Sequence, residues 1–438
     1  MIPALPTERL QLRRLRRLPL LSPRQWRRRL IFWLGAVLVG LVAVAFAWLA
    51  DGAQHLFLRA VAYEPLLVFI LAPAGLALSL ALTRWFFPGA QGSGIPQVIA
   101  ALHEPDPQRV GALLTLRIAA GKVLLTLLGL ASGASIGREG PTVQVGASIM
   151  HALGRWQGLP RPETIRIMVL AGGAAGVAAA FNTPLAGLVF GIEELSHSLR
   201  VRTGSLTLTA VVIAGITAIL AVGDYVYFGV SHVTLDVGPG WLAVGLCGVA
   251  GGLLGGGFSS TLLHLPRAFP KAVSRFAARR PAAFAACCGL LIATIGWASG
   301  GTSYGTGYEQ ARMLVEGQAG LPDSFMVWKL LATVASYLSG IPGGIFAPSL
   351  SIGAGLGQWL SALVPHAPAA AVVLLGMVGY FAGVVQAPIT AAVIVMEMTG
   401  NHALMVPLMA TSLLAFLVSR LVCRRPLYSS LAKRFLKH

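Results

Sequence analysis

Charge is what this 438-residue sequence has least of: Asp, Glu, Lys and Arg together make up 11% of it, and only 15 residues are acidic. A soluble domain carries about a quarter charged residues, so an ordinary water-facing surface is excluded. The four cysteines, Cys247, Cys287, Cys288 and Cys423, have neither metal-ligand nor redox spacing and read as small apolar packing residues. Strand-like alternation of about ten residues is missing as well, which argues against a membrane barrel. The N-terminal apolar segment has no small-residue cleavage site, so it reads as a retained span and not as a signal peptide.

What remains is apolar. With 56% hydrophobic residues, the chain holds repeated stretches long enough to cross about 30 Å of hydrocarbon. Among them are 30–50, 66–82, 206–222, 241–262, 281–298 and 405–421. Only helices or closed barrels satisfy the backbone in lipid, so the expectation is an all-α polytopic membrane protein. The formal charge of +18 sits at the edges. Nine arginines precede Leu30, among them Arg13, Arg14, Arg16, Arg17, Arg27, Arg28 and Arg29, and a second cluster runs from Arg420 to Lys437. That placement predicts both termini in the cytoplasm, with the basic arm able to touch anionic lipid. No aromatic platforms interleave the charges, so nucleic acid is not an expected partner.

The sequence also repeats. At an offset of 207, "SGASIGREGP" (132–141) falls over "SGIPGGIFAP" (339–348), and Lys122, Thr126, Gly146, Ala147, Gly172 and Gly176 fall over Lys329, Thr333, Gly353, Ala354, Gly379 and Gly383. After a three-residue shift, "PLAGLVFGIE" ending at Glu193 matches "PITAAVIVME" ending at Glu397. The expected organisation is a basic segment 1–30 and one membrane domain 31–438, with halves at about 31–222 and 240–422 and a terminal helix 427–437. Duplicated halves with interrupted helices characterise transporters.

Four breaks punctuate the apolar core: "GSGIP" (Gly92, Ser93, Gly94, Ile95, Pro96), "GREGP" (Gly137, Arg138, Glu139, Gly140, Pro141), "GIFAP" (Gly344, Ile345, Phe346, Ala347, Pro348) and "RPLYSS" (425–430). Proline suits a helix start and glycine lets the backbone turn. Each break therefore presents free amides and the positive end of a helix dipole, an anion site. Glu139 at such an end can occupy the cradle an anion would take, and protonation would remove the competition.

In identity and order these motifs resemble the three-part selectivity filter of the CLC family of chloride channels and proton-coupled chloride exchangers. The resemblance covers nearly the whole membrane region. It implies a CLC-type fold of two inverted-topology repeat halves with broken and re-entrant helices, in a homodimer with one anion pathway per subunit. It also implies a central chloride site on the Ser93 hydroxyl, the Ile345 and Phe346 amides and the Tyr428 phenol. Glu139 matches the family's external gating and proton-transfer glutamate, and Glu194 its internal proton glutamate. Within "FGIEEL", Glu193 has a repeat counterpart and Glu194 does not, which selects the same residue.

With both glutamates present, chloride–proton antiport is expected, and a serine at position 93 matches the chloride-preferring members. Gln97 departs from the glutamate of many exchangers. A bacterial inner membrane is the expected location, and the chain stops ten residues after Tyr428, so paired regulatory domains are not expected. No cofactor and no metal site are expected. The alternatives are a passive channel of the same fold and, from another class, an intramembrane enzyme using His103, Glu104, Asp106 or His197. The last lacks the His-Glu-x-x-His spacing of a metal-binding helix face.

Overall fold

The computed structural model describes residues 23–157, 162–196, 201–223, 226–318 and 320–436. Most of the basic N-terminal segment, His197 and Lys437 lie outside them. The described residues form helices and no strands beyond two isolated bridges. The first half comprises α1 (Pro23–Tyr63), α2 (Val68–Trp85), α3 (Ile95–His103), α4 (Pro107–Leu113), α5 (Leu116–Leu130), α6 (Glu139–Trp156), α7 (Pro162–Phe181), α8 (Pro184–Phe190) and α9 (Val201–Val222). The second comprises α10 (Leu242–Ala268), α11 (Lys271–Arg279), α12 (Pro281–Ala298), α13 (Tyr308–Val315), α14 (Phe325–Leu338), α15 (Phe346–Ser361), α16 (Ala369–Val385), α17 (Pro388–Thr399), α18 (Met405–Val422) and α19 (Leu427–Leu436).

Among the described residues seven helical stretches are long and apolar enough to cross a membrane. The 41-residue α1 is about 60 Å of helix at 1.5 Å per residue, twice the hydrocarbon thickness. Leu34, Leu41, Leu124 and Trp297 turn outward and are exposed, which suits lipid and would be a liability in water. The chain is an integral multi-pass membrane protein of two halves with inverted topology. At its centre α16 is buried around its whole circumference from Ala371 to Val385, as an all-apolar helix must be.

Glycine sets the closest crossings. A Cβ on Gly146 would run into the Gly172 carbonyl, and one on Gly172 into the Gly146 carbonyl, so α6 and α7 touch backbone to backbone. In the second half the equivalent crossing joins Gly353 of α15 to Gly376 of α16. Packing therefore pairs Gly172 with Gly376, and the expected match of Gly172 to Gly379 is corrected. Gly379 packs against the Cys247 carbonyl of α10 instead, so the three-residue shift already applies at Gly172.

Candidate functional site

The three Gly-Pro breaks meet at one point. Gly137 and Gly344 exchange two backbone hydrogen bonds of 2.7 Å each, and Gly92 donates to the Ile341 carbonyl at 3.2 Å while its own carbonyl accepts from Gly343 at 3.1 Å. Side chains close the same space. The Ser93 hydroxyl lies where a Cβ on Gly140 would sit, and Glu139 Oε2 where one on Gly137 would sit, with the Ala347 amide 3.3 Å from that second point. Alanine at either position would displace the group it meets.

Helices α3, α6 and α15 start here at Ile95, Glu139 and Phe346, and none has a side-chain cap. Their first-turn amides have no acceptor within the helix, so three partly positive ends share one buried volume. Tyr428, at the start of α19, is fully buried and its ring centroid lies 5.8 Å from that of Phe346. The hydroxyls of Ser93 and Tyr428 and the Oε2 atom of Glu139 are buried; the two hydroxyls face each other, and none of the three atoms makes a well-formed hydrogen bond among the described residues. A hydroxyl left so costs about 1–3 kcal/mol, and a bound anion would satisfy both. A cavity of about 960 Å³ leads to Ser93, lined by Gly92, Gln97, Tyr337, Arg84, Arg109 and Arg434 among others.

Arg138 and Glu139, adjacent in sequence, do not pair. The Arg138 guanidinium is 2% exposed and donates to the Ala47 carbonyl at 2.6 Å, to Asp51 at 2.5 Å and to the Tyr227 hydroxyl at 2.5 Å. Glu139 turns the other way and its Oε1 accepts from the Tyr308 hydroxyl at 2.6 Å.

Glu193 and Glu194 also separate. They lie in a single wide turn, Gly191–Ser196, that continues α8 with π-helical spacing, a geometry that redirects neighbouring side chains. Glu193 accepts from the Ile389 and Thr390 amides at 3.2 and 2.7 Å. Glu194 is 2% exposed, its Oε1 has no partner among the described residues, and its carboxyl is an electrostatic neighbour of Tyr428.

The other polar candidates hold local structure. Gln97 donates to the Gly89 and Gln91 carbonyls. Asp106 accepts from Gln108 N at the start of α4, Glu104 accepts from Asp106 N at 3.2 Å, and His103 Nδ1 lies 2.8 Å from the Ile99 carbonyl.

Tyr308 was not among the sequence candidates, although a signal for it exists. "GTGYEQ" (305–310) repeats "GSGIPQ" (92–97), pairing Ser93 with Thr306 and Ile95 with Tyr308. Both loops need glycine: φ is 64° and 100° at Gly92 and Gly94, and 64° and 85° at Gly305 and Gly307, values side chains rarely tolerate. The buried ammonium of Lys122 donates to the Gly92 carbonyl at 2.8 Å and that of Lys329 to the Gly305 carbonyl at 2.7 Å. The offset of this pair differs from 207, which hides it from a search at one fixed shift.

A membrane fold of two inverted halves, with helix N-termini converging on unpartnered hydroxyls and a carboxylate, defines an anion-pathway protein as a class. The profile of the voltage gated chloride channel family matches residues 74–420, and the chain belongs to that family. Its structure is similar to that of a slow cyanobacterial Cl⁻/H⁺ antiporter, at 26% identity over 93% of this chain and 97% of that one, with a TM-score of 0.79. It shares its fold with a CLC-type fluoride/proton antiporter, at 24% identity over 92% and 96% with a TM-score of 0.76. A eukaryotic CLC transporter has the same fold at 22% identity over 94% and 75%, with a TM-score of 0.76.

Proposed function

We propose that the protein is a secondary active antiporter exchanging chloride for protons, with Glu139 as the outer gate and proton carrier and Glu194 as the inner proton-transfer group. The observation that carries this reading is the Glu139 carboxylate lying at the convergence of three helix N-termini, beside the Ala347 amide, in space that an anion bound between Ser93 and Tyr428 would reach. An ionised carboxylate and a halide compete for one positive cradle. Protonation weakens the carboxylate's hold, so anion passage and proton uptake become one event. The antiport activity of the cyanobacterial relative supports the same reading.

Chloride would be held by the Ser93 and Tyr428 hydroxyls and the Ile345 and Phe346 amides, donors that bind without a full charge and so permit release. Glu194 is a buried carboxyl and an electrostatic neighbour of Tyr428. Intramembrane carboxylates of this kind belong to proton routes. The basic ends, Arg27 to Arg29 and Arg420 to Arg434, orient both termini toward the cytoplasm, in the inner membrane of a bacterium.

The functional unit we propose is a homodimer with one pathway per subunit. Purified protein in liposomes under a chloride gradient tests the function directly. Chloride efflux should drive protons the opposite way, and chloride flux with no proton movement would identify a passive channel instead.

A further inference from the structure

We propose that Tyr308 is a positioning residue for the transport cycle: its phenol latches the Glu139 carboxylate in its seat, and breaking that one hydrogen bond sets how fast and at what pH the gate opens. The inference rests on the role of Glu139 proposed above.

Four observations carry it. The Tyr308 hydroxyl donates to Glu139 Oε1 at 2.6 Å, between fully buried groups, where a charge-assisted bond is strong because water cannot replace it. This bond is the carboxylate's one side-chain hydrogen bond among the described residues, since Oε2 has none. The phenol itself is fixed: its ring packs against Tyr227 at 4.9 Å and Phe228 at 5.5 Å, and the Arg138 guanidinium lies 5.8 Å from its centroid.

The repeat supplies the fourth observation. In the loop equivalent to "GSGIPQ", the hydroxyl of Thr306 donates to Gln54 Oε1 at 3.1 Å, whereas that of Ser93 faces the Tyr428 hydroxyl and has no other partner among the described residues. One half thus leaves a hydroxyl open for an anion. The other closes that hydroxyl and advances a tyrosine, where its counterpart has Ile95, to hold the carboxylate.

The charged and titratable groups facing Glu139 are few. Tyr308 comes from α13, Arg138 from its own break and Tyr428 from α19. Tyr227 and Asp51 face it through Arg138, and Lys329 lies beneath the Gly305–Gly307 loop. Of these only Tyr308 is hydrogen-bonded to the carboxylate.

The test is chloride and proton flux in liposomes across a range of pH for wild type, Tyr308→Phe, Glu139→Ala and the double variant. Losing a hydrogen bond to a charged group should raise the Tyr308→Phe chloride flux by about tenfold, and raise the pH of half-maximal flux by about one unit. Adding Tyr308→Phe to Glu139→Ala should change neither quantity, because the latch has nothing to hold; a purely structural tyrosine would still alter flux there. Site-specific 3-fluorotyrosine at 308, a stronger donor of nearly the same shape, should move rate and midpoint the opposite way, and it tests the latch even where Tyr308→Phe does not fold. Unchanged rate and midpoint in Tyr308→Phe, alongside an uncoupled Glu139→Ala, overturn the latch and leave the proposed function standing. A Glu139→Ala protein that still couples protons overturns the function itself.

Discussion

Glu193 and Glu397 cap each other's helices: Glu193 accepts from the first amides of α17, and Glu397 accepts from the Leu185 and Ala186 amides of α8 at 3.1 and 2.6 Å. Each glutamate lies at the C-terminal end of its own segment, so α8 and α17 run antiparallel, and the two halves are joined by a reciprocal contact that only a pseudo-twofold relation produces.

That reciprocity makes stability the expected readout. Glu193→Ala and Glu397→Ala should each cost about 1–2 kcal/mol, the usual loss of a helix cap, lower the Tm in detergent by similar amounts, and add in the double variant because the caps sit at opposite ends. Thermal unfolding of the purified variants checks this, and a large loss confined to one of them would contradict the symmetry.

Glu194→Gln should abolish proton transport while chloride flux continues, since the substitution keeps size and hydrogen-bonding capacity but removes the ionisable group. Paired chloride-electrode and pH-electrode recordings from the same liposomes measure both. Coupled proton flux in this variant would remove Glu194 from the pathway.

Gly140→Ala should reduce chloride flux about fivefold or more, because the added methyl would meet the Ser93 hydroxyl and press on the Ser93 carbonyl, and displacing a properly placed polar group costs more than about 1 kcal/mol. Gly146→Ala, by contrast, would meet the Gly172 backbone, which cannot turn aside as a side chain can. It should cost several kcal/mol and appear as loss of folded protein in size-exclusion profiles.

Asp51→Asn should cost about 1–2 kcal/mol, because Asp51 is half exposed but the guanidinium it pairs with is buried and loses its counter-charge. Arg138→Gln should cost more, about 2–4 kcal/mol, since it leaves the Ala47 carbonyl and the Tyr227 hydroxyl without the buried donor they share. Melting curves of the two variants separate these expectations.

The breaks were legible in the sequence because glycine and proline constrain the backbone locally, whatever surrounds them. So were the long spans, and so was the correspondence of Glu193 with Glu397 as repeat counterparts, because duplication leaves matching letters once a three-residue shift is allowed; that the two cap each other's helices was not. Tyr308 was not legible: its importance comes from the 2.6 Å approach of two residues in different halves, which composition and periodicity do not encode. Its loop does carry a repeat signal, under an offset set by insertions elsewhere. The separation of Arg138 from Glu139 was likewise hidden, since adjacency in the chain says nothing about which of two neighbours Asp51 and Tyr227 will draw away.

The clasp between Gly137 and Gly344, with its companion at Gly92 and Gly343, ties the two halves together at the very depth where substrate crosses. Rocking one half against the other would break four main-chain bonds, and each of the two in the buried Gly137–Gly344 pair costs about 1–3 kcal/mol when left unmade. Under the gating role proposed for Glu139, such a protein works with a stationary frame and a swinging carboxyl. Its turnover should therefore respond weakly to bilayer thickness or lipid viscosity, quantities that slow carriers whose domains must plough through the membrane.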